Sequence, residues 1–129
     1  MTIKPNPTND RGAAAVEFAL ILPLLVLLIM GLIEFSLLFN TQISLTNAAR
    51  EGARVMAIHN DPALAKSATI SAATSVQPAV STGNITVSPS TCTAGSTVTV
   101  TISYNATLLT GYFGITLPLK GKGVMLCGG

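Results

Sequence analysis

One apolar run near the N-terminus constrains this chain more than any other feature. Residues 13–39 contain only two charged side chains, Glu17 near the start and Glu34 near the end. As a helix, a segment of this length extends roughly 40 Å, whereas the hydrocarbon core of a bilayer is about 30 Å thick. The two glutamates lie about 26 Å apart along such a helix, so each can sit near one membrane face, where a charge costs little. The run therefore predicts a single membrane-spanning helix.

Composition excludes several classes of function. Charged residues make up only 9% of the 129 residues, against about 25% in typical soluble domains. The few lysines and arginines are scattered, which argues against a nucleic-acid interface. The single histidine, His59, has no cysteines nearby, and the chain lacks paired carboxylates outside the run and a phosphate-binding glycine loop. We therefore expect no enzyme activity, no catalytic residues, no cofactor, no metal site and no small-molecule substrate.

The residues at the start of the run follow a specific order. Arg11 and Gly12 are followed by four small or apolar residues and then by Glu17. Residues 1–12 form a short polar leader before the run. Glu17 lies four positions after Ala13, one helical turn away on the same face.

This order resembles a prepilin cleavage site. The sequence GAAAVEFALILPLL, with GLIEFSLLFNTQISLTNAAREGARVMAIH after it, resembles the N-terminal signature of the TadE-like family. These are minor pilins or pseudopilins of the Flp/Tad branch of type IV pilus systems. The resemblance covers about residues 11–60. It implies cleavage between Gly12 and Ala13 by a prepilin peptidase, with Glu17 as the signature glutamate. Glycine has no side chain, so a protease can close around the backbone there. The cut would remove the leader, residues 1–12, and leave an ammonium group on Ala13.

The resemblance also implies a partner for Glu17. A carboxylate in an apolar packing environment needs one, and in related filaments it is the N-terminal amine of a neighbouring pilin-like subunit. The alternative is that Glu17 simply lies at headgroup depth.

The distribution of positive charge indicates the orientation of the span. Lys4 and Arg11 precede it, and Arg50 and Arg54 follow it. Arg11 is the closest of these to the membrane, which favours a cytoplasmic N-terminus and an extracytoplasmic C-terminus. For a Flp/Tad protein the membrane would be the bacterial inner membrane, with the pilus as a later location.

Beyond Phe39 the helix is expected to continue to about Ile58 as a stalk. Small residues recur on it at Ala49, Gly52, Ala53 and Ala57. Such a stripe lets another helix come close. We interpret it as a contact with another pilin-like subunit, and the alternative for this region is a solvated polar face.

Residues 40–129 are expected to form this stalk and a small extracytoplasmic α+β domain. Asp61 and Pro62 are suited to start a short helix that ends near Val76. The clearest strand is Thr97–Tyr104, in which valine, isoleucine and tyrosine alternate with threonine and serine. Its apolar face needs a cover, for which the short helix is the expected element.

The other distal predictions are less regular. Ile85 and Val87 indicate one short strand, and residues 124–127 a possible last strand. Residues 108–119 are apolar but broken by glycine and proline, which favours a loop or an irregular edge. The sequence Lys-Gly-Lys-Gly at 120–123 is typical of a turn.

Two cysteines, Cys92 and Cys127, both lie in the distal part. In an extracytoplasmic domain they are candidates for a disulfide. Such a bond would stabilise the domain by roughly 4 kcal/mol through loop entropy. The alternative is a pair of unpaired buried thiols.

Two functions fit these features. The first is a pilus-assembly subunit that is cut after Gly12 and packs through its long helix with other pilin-like chains. The second is an uncleaved, membrane-anchored extracytoplasmic domain that binds a partner through its distal half.

Overall fold

The computed structural model of the protein describes residues 10–109, 111 and 114–128. Most of the predicted leader, residues 1–9, therefore lies outside the described residues. The elements, in chain order, are helix α1 (Asp10–His59), helix α2 (Pro62–Ala72), a 3-10 turn (Thr82–Asn84) and strands β1 (Ile85–Ser88), β2 (Thr97–Thr107) and β3 (Thr116–Leu126). A long apolar helix, a short helix and a small antiparallel sheet confirm the predicted α+β class.

The chain divides into two compact units, residues 1–35 and residues 36–129. In the first unit the described part is α1 alone, with Pro23 inside the helix. By length and composition, helix α1 is long and apolar enough over Arg11–His59 to cross a membrane. The second unit contains the remainder of α1 and all other elements, and we call it the distal domain.

The distal domain is built on a three-stranded antiparallel sheet in the order β1-β2-β3. In the central strand, β2, Val98, Val100 and Ile102 are fully buried and Tyr104 nearly so, while Thr97 and Ser103 are exposed. This confirms the alternation predicted for β2. Ile85 of β1 pairs with Ile102, which places the short predicted strand beside the buried face.

β3 corrects two predictions. Residues 116–119 were expected in a loop or irregular edge and residues 120–123 in a turn, but both lie within an 11-residue strand. The physical reason is that successive residues of this segment point to opposite faces of the strand. Gly121 and Gly123 face α1, where an added Cβ would collide with the backbone of Leu45 and Ala49. Lys120 and Lys122 occupy the opposite, solvent-facing positions, so the glycines mark a close approach of two backbones rather than a turn.

The cover of the sheet is also different from the prediction. The main cluster of buried residues joins Leu45, Ala48, Ala49 and Ala53 of α1 to Val100 and Ile102 of β2. Helix α1 is therefore the principal cover, whereas the short helix was expected in this position. α2 packs beside β1 and contributes Ala65 to a second, smaller cluster with Met56 and Val98.

Helix α2 begins at the predicted residue and ends earlier than predicted. The Asp61 carboxylate accepts hydrogen bonds from the backbone N–H groups of Ala63 and Leu64, at 2.8 and 3.2 Å, and Pro62 occupies the first turn. The helix stops at Ala72 instead of near Val76. The N–H group of Ala73 donates to the carbonyls of both Thr69 and Ile70, which tightens the last turn. The chain then turns so that Val76 is buried in the main core.

Candidate processing and assembly segment

The predicted cleavage site lies at the very start of α1. The helix begins at Asp10, so Gly12 and Ala13 belong to its first turn, whose N–H groups have no partner within the helix. Both residues are exposed. A Cβ added to Gly12 would meet no atom within 4 Å. Opening the backbone here disturbs no packing within the described residues.

Glu17 lies one turn after Ala13 on the same face of α1 and is exposed. Its neighbours along the helix are apolar, as the sequence requires. Within a single chain, therefore, the carboxylate is presented outward on an apolar surface.

That apolar surface extends along the whole predicted span. Its large side chains, from Val16 to Phe35, are mostly 41–73% exposed. A soluble monomer rarely exposes a contiguous apolar patch larger than a few hundred Å². This part of α1 needs lipid chains or other apolar helices around it.

Glu34 differs from its neighbours. Only 8% of Glu34 is exposed, whereas Ile33 and Phe35 are 49% and 68% exposed. The sequence places this carboxylate at the far end of the apolar run, and in the structure the residue is buried.

The stripe of small residues on α1 has an intramolecular role. Ala49 and Ala53 are fully buried against the chain's own sheet. Gly52 faces α2, where an added Cβ would collide with the Thr69 hydroxyl. Ala57 is half-buried beside the smaller cluster. Within one chain, the sheet and α2 therefore already cover Ala49, Gly52 and Ala53, and contact of the stripe with another subunit stays a prediction.

The polar face of the stalk carries an ion pair. The Arg54 guanidinium donates to both carboxylate oxygens of Glu51, at 2.8 and 3.1 Å. This hydrogen bond, together with the positive charge of Arg54, lowers the pKa of Glu51. Both side chains are largely open to solvent, so the pair stabilises the fold very little.

Cys92 and Cys127 are joined by a disulfide, with their Cα atoms 5.5 Å apart. Cys127 is buried with Met56, Ala65 and Val98, next to the end of α1. Cys92 is held on the other side, because its N–H group donates to the side-chain oxygen of Asn60. The disulfide thus ties the end of β3 and the β1–β2 connection to the point where α1 ends.

Sequence reasoning missed three residues that position this region. Gly121 and Gly123 allow α1 to lie on β3. In the sequence, the indication of this role was that the two glycines alternate with two lysines. Asn60 adopts a left-handed backbone conformation, with φ of 51°, immediately after α1. Asparagine tolerates this conformation better than most residues, and the Asn-Asp-Pro sequence that ends the helix was the available signal.

Among the described residues, no group of three histidine, cysteine, aspartate or glutamate side chains could hold a metal ion.

Comparison with known proteins finds a family match in the N-terminal part of the chain. The family described as TadE-like protein matches residues 12–54. Neither a curated protein nor a solved structure matches the chain. The match begins at the glycine of the predicted cleavage site, contains Glu17 and the apolar run, and ends in the stalk. The match over residues 12–54 thus confirms the resemblance to the TadE-like family that the order of residues around Gly12 and Glu17 predicted.

Proposed function

We propose that this protein is a minor pilin or pseudopilin of a Flp/Tad pilus or secretion apparatus. A prepilin peptidase removes residues 1–12, and residues 13–39 anchor the chain in the inner membrane with the distal domain outside the cytoplasm. The observation that carries this proposal is the family match, because it spans both the cleavage site and the apolar helix. TadE-like proteins are pilus-associated and structural in kind, which agrees with the absence of catalytic motifs from the sequence.

Exposure at the start of α1 supports the cleavage step. Gly12 lies three residues into the helix, where unwinding breaks few hydrogen bonds. A peptidase can therefore draw the Gly12–Ala13 bond into an extended conformation without disturbing the distal domain.

Cleavage would change the electrostatics at Glu17. It removes Asp10 and Arg11 and makes Ala13 the first residue of the helix. The new ammonium group and the positive end of the helix dipole then lie within about one turn of the Glu17 carboxylate. In an assembly, the amine of a neighbouring subunit would compete for the same carboxylate and set the axial register between the two chains.

In this proposal, the apolar part of α1 makes the contact with other subunits. The small residues of the stalk are covered by the chain's own sheet and α2. The large apolar side chains of residues 16–33, by contrast, remain exposed. Helices of pilin-like subunits would replace lipid on this surface during assembly.

Co-purification tests the proposal. The tagged chain is extracted from membranes of cells that express the Flp/Tad apparatus, and pilin-like subunits are identified in the eluate. We expect Glu17→Gln to lose most of this association, because the amide cannot neutralise an ammonium group. Glu51→Gln is the matched control, since it removes a carboxylate from the solvent-facing side of the same helix.

Two outcomes would contradict the proposal. Association that is unchanged in Glu17→Gln, with normal cleavage, would exclude the charge pairing. Capture of no pilin-like subunit by the unaltered chain would favour the alternative, an uncleaved anchor for a binding domain.

A further inference from the structure

Strand β3 is an edge strand, because among the described residues the sheet has the order β1-β2-β3. In an antiparallel pair, residues that exchange hydrogen bonds with the neighbouring strand alternate with residues that turn their N–H and C=O groups away from it. On an edge strand this outward set has no partner within the sheet and can pair with a further strand. The partner that β3 can accept therefore depends on which residues belong to the outward set.

Three observations place the even-numbered residues of β3 in the outward set. Pro118 has no N–H group to donate to β2, so it suits an outward position. The Lys120 carbonyl accepts a hydrogen bond from the Gln42 side chain of α1, at 2.7 Å. Just after the strand, the odd-numbered Cys127 donates its N–H group to the carbonyl of Ser96, at 2.8 Å, and so continues the inward set.

The outward residues that follow Lys120 are Lys122, Val124 and Leu126. Each presents an N–H and a C=O group that no other described residue bonds. Their side chains lie on the sheet face opposite α1, because Gly121 and Gly123 face the helix. Lys122 is exposed, and Val124 and Leu126 are 51% and 56% exposed. The backbone groups and the side chains of the same three residues are therefore open to a partner, and we call these residues the open edge.

The charge beside the open edge is positive and unbalanced. Lys120 and Lys122 are both exposed, and no ion pair among the described residues includes either of them. The sequence from residue 62 onward contains no aspartate or glutamate. Opposite charges stabilise a pair of residues that face each other on neighbouring strands. A strand that fits this edge consequently carries carboxylates opposite the lysines and apolar side chains opposite Val124 and Leu126.

From these relationships we infer that the open edge binds an extended, acidic segment of another protein, which adds an antiparallel strand to the sheet. The backbone of the segment pairs with Lys122, Val124 and Leu126 and supplies the affinity, while its alternate side chains supply the specificity. Antiparallel addition continues the existing sheet and is the slightly more stable pairing. The inference goes beyond the proposed function, because it requires neither cleavage nor the membrane anchor.

A second copy of this chain is a poorer occupant of the open edge. Two β3 strands paired around Lys122 place one ammonium group opposite another, which is destabilising. A register shifted away from Lys122 still gathers the lysines of both copies without a carboxylate from either strand. Lysine on an edge strand is a known means of preventing such self-pairing, so the edge selects a partner of opposite charge.

Binding of a synthetic peptide to the full-length chain in detergent tests this inference. The probe has the sequence valine-threonine-valine-threonine-glutamate-threonine-glutamate. Antiparallel to β3, its first valine lies opposite Leu126 and its glutamates lie opposite Lys122 and Lys120. A second peptide has lysine in place of both glutamates. A third keeps the glutamates but is N-methylated at both valines, which removes N–H groups that would face β3. Fluorescence anisotropy of the labelled peptides measures the affinities.

Two protein variants isolate the charge at the edge. Lys122→Glu reverses it, and Lys66→Glu is the matched control, because it makes the same change on α2, which packs beside β1 at the other edge of the sheet. We expect Lys122→Glu to weaken binding of the glutamate peptide by about three- to tenfold and to strengthen binding of the lysine peptide similarly. Lys66→Glu should change neither affinity by more than about twofold. N-methylation should weaken binding by about tenfold.

Four results would overturn the inference. Absence of binding by the glutamate peptide at millimolar concentration would exclude an acidic strand as the occupant. Equal losses in Lys122→Glu and Lys66→Glu would reduce the effect to net charge. Undiminished binding of the N-methylated peptide would exclude backbone pairing. A dimer of the unaltered chain that the glutamate peptide disperses would make a second copy the occupant.

Discussion

Gly123 of β3 lies directly against the carbonyl group of Ala49 in α1, so closely that no side chain fits between them. The same is true of Gly121 and Leu45. These two contacts fix the direction and the separation of the helix and the strand. The buried face of the sheet depends on them.

The contact at Gly123 predicts that one added methyl group lowers the stability of the distal domain. We expect Gly123→Ala to destabilise the distal domain by about 1–3 kcal/mol, because the added Cβ must push α1 away from β3. Thermal unfolding of the full-length chain in detergent, followed by circular dichroism, measures this loss. Gly83→Ala is the control, since its Cβ would meet only the Ser81 hydroxyl at 3.8 Å. Equal unfolding midpoints for the two variants would contradict the close approach.

Gly52 and Thr69 form a similar contact between α1 and α2. We expect Gly52→Ala alone to destabilise the domain by about 1–3 kcal/mol, because the new Cβ collides with the Thr69 hydroxyl. Thr69→Ala removes that hydroxyl, together with its 2.8 Å hydrogen bond to the Ala65 carbonyl. The double variant should therefore lose about 0.5–3 kcal/mol less than the sum of the two single losses. Additive losses in this double-mutant cycle would show that the two residues do not meet.

Tyr104 predicts a dependence of stability on alkaline pH. Burial raises the pKa of the Tyr104 phenol above its usual value of about 10. The unfolded chain therefore ionises first as the pH rises. The contribution of Tyr104 is complete below about pH 10 and is lost as the pH rises through the higher folded pKa.

The Tyr104→Phe variant tests this dependence. At neutral pH it should be less stable by about 1 kcal/mol, because the hydroxyl donates to the Pro78 carbonyl at 2.8 Å. Above pH 10 this difference should shrink, as only the unaltered chain loses the contribution. Unfolding midpoints measured between neutral pH and pH 11 give both values. A difference that stays constant across the range would contradict the effect of burial.

The disulfide between Cys92 and Cys127 predicts a response to reductant. The two cysteines are 35 positions apart, and loop entropy predicts roughly 4 kcal/mol of stabilisation for a loop of this size. Dithiothreitol should lower the unfolding midpoint of the unaltered chain to that of Cys92→Ser/Cys127→Ser. The double variant is its own control, because reductant should leave it unchanged. If dithiothreitol does not change the unfolding midpoint of the unaltered chain, the disulfide contributes little to the stability.

Sequence reasoning worked where one local pattern decides the structure. The alternation of Thr97–Tyr104 places each side chain on one face or the other, and its burial follows. The Asp61–Pro62 start of α2 is equally local, because capping needs only the next three residues. The family signature is a third case, since it is read directly from neighbouring residues.

Sequence reasoning failed where the structure depends on distant contacts. The glycines at 121 and 123 are consistent with a turn until the carbonyls of α1 are placed beside them. The small residues of the stalk predict that something approaches closely, but they do not distinguish the chain's own sheet from another subunit. Val76 continues the helical spacing of α2, yet burial in the core decides its position.

The intact mass of the membrane-extracted protein tests the account most directly, because in the proposed function cleavage after Gly12 precedes every later step. In cells that contain the prepilin peptidase, we predict a chain that begins at Ala13. Gly12→Val should remain full length, since a branched side chain prevents the protease from closing around the backbone, whereas Gly31→Val, within the span, should still be cut. A full-length mass for the unaltered chain in those cells would contradict the central claim.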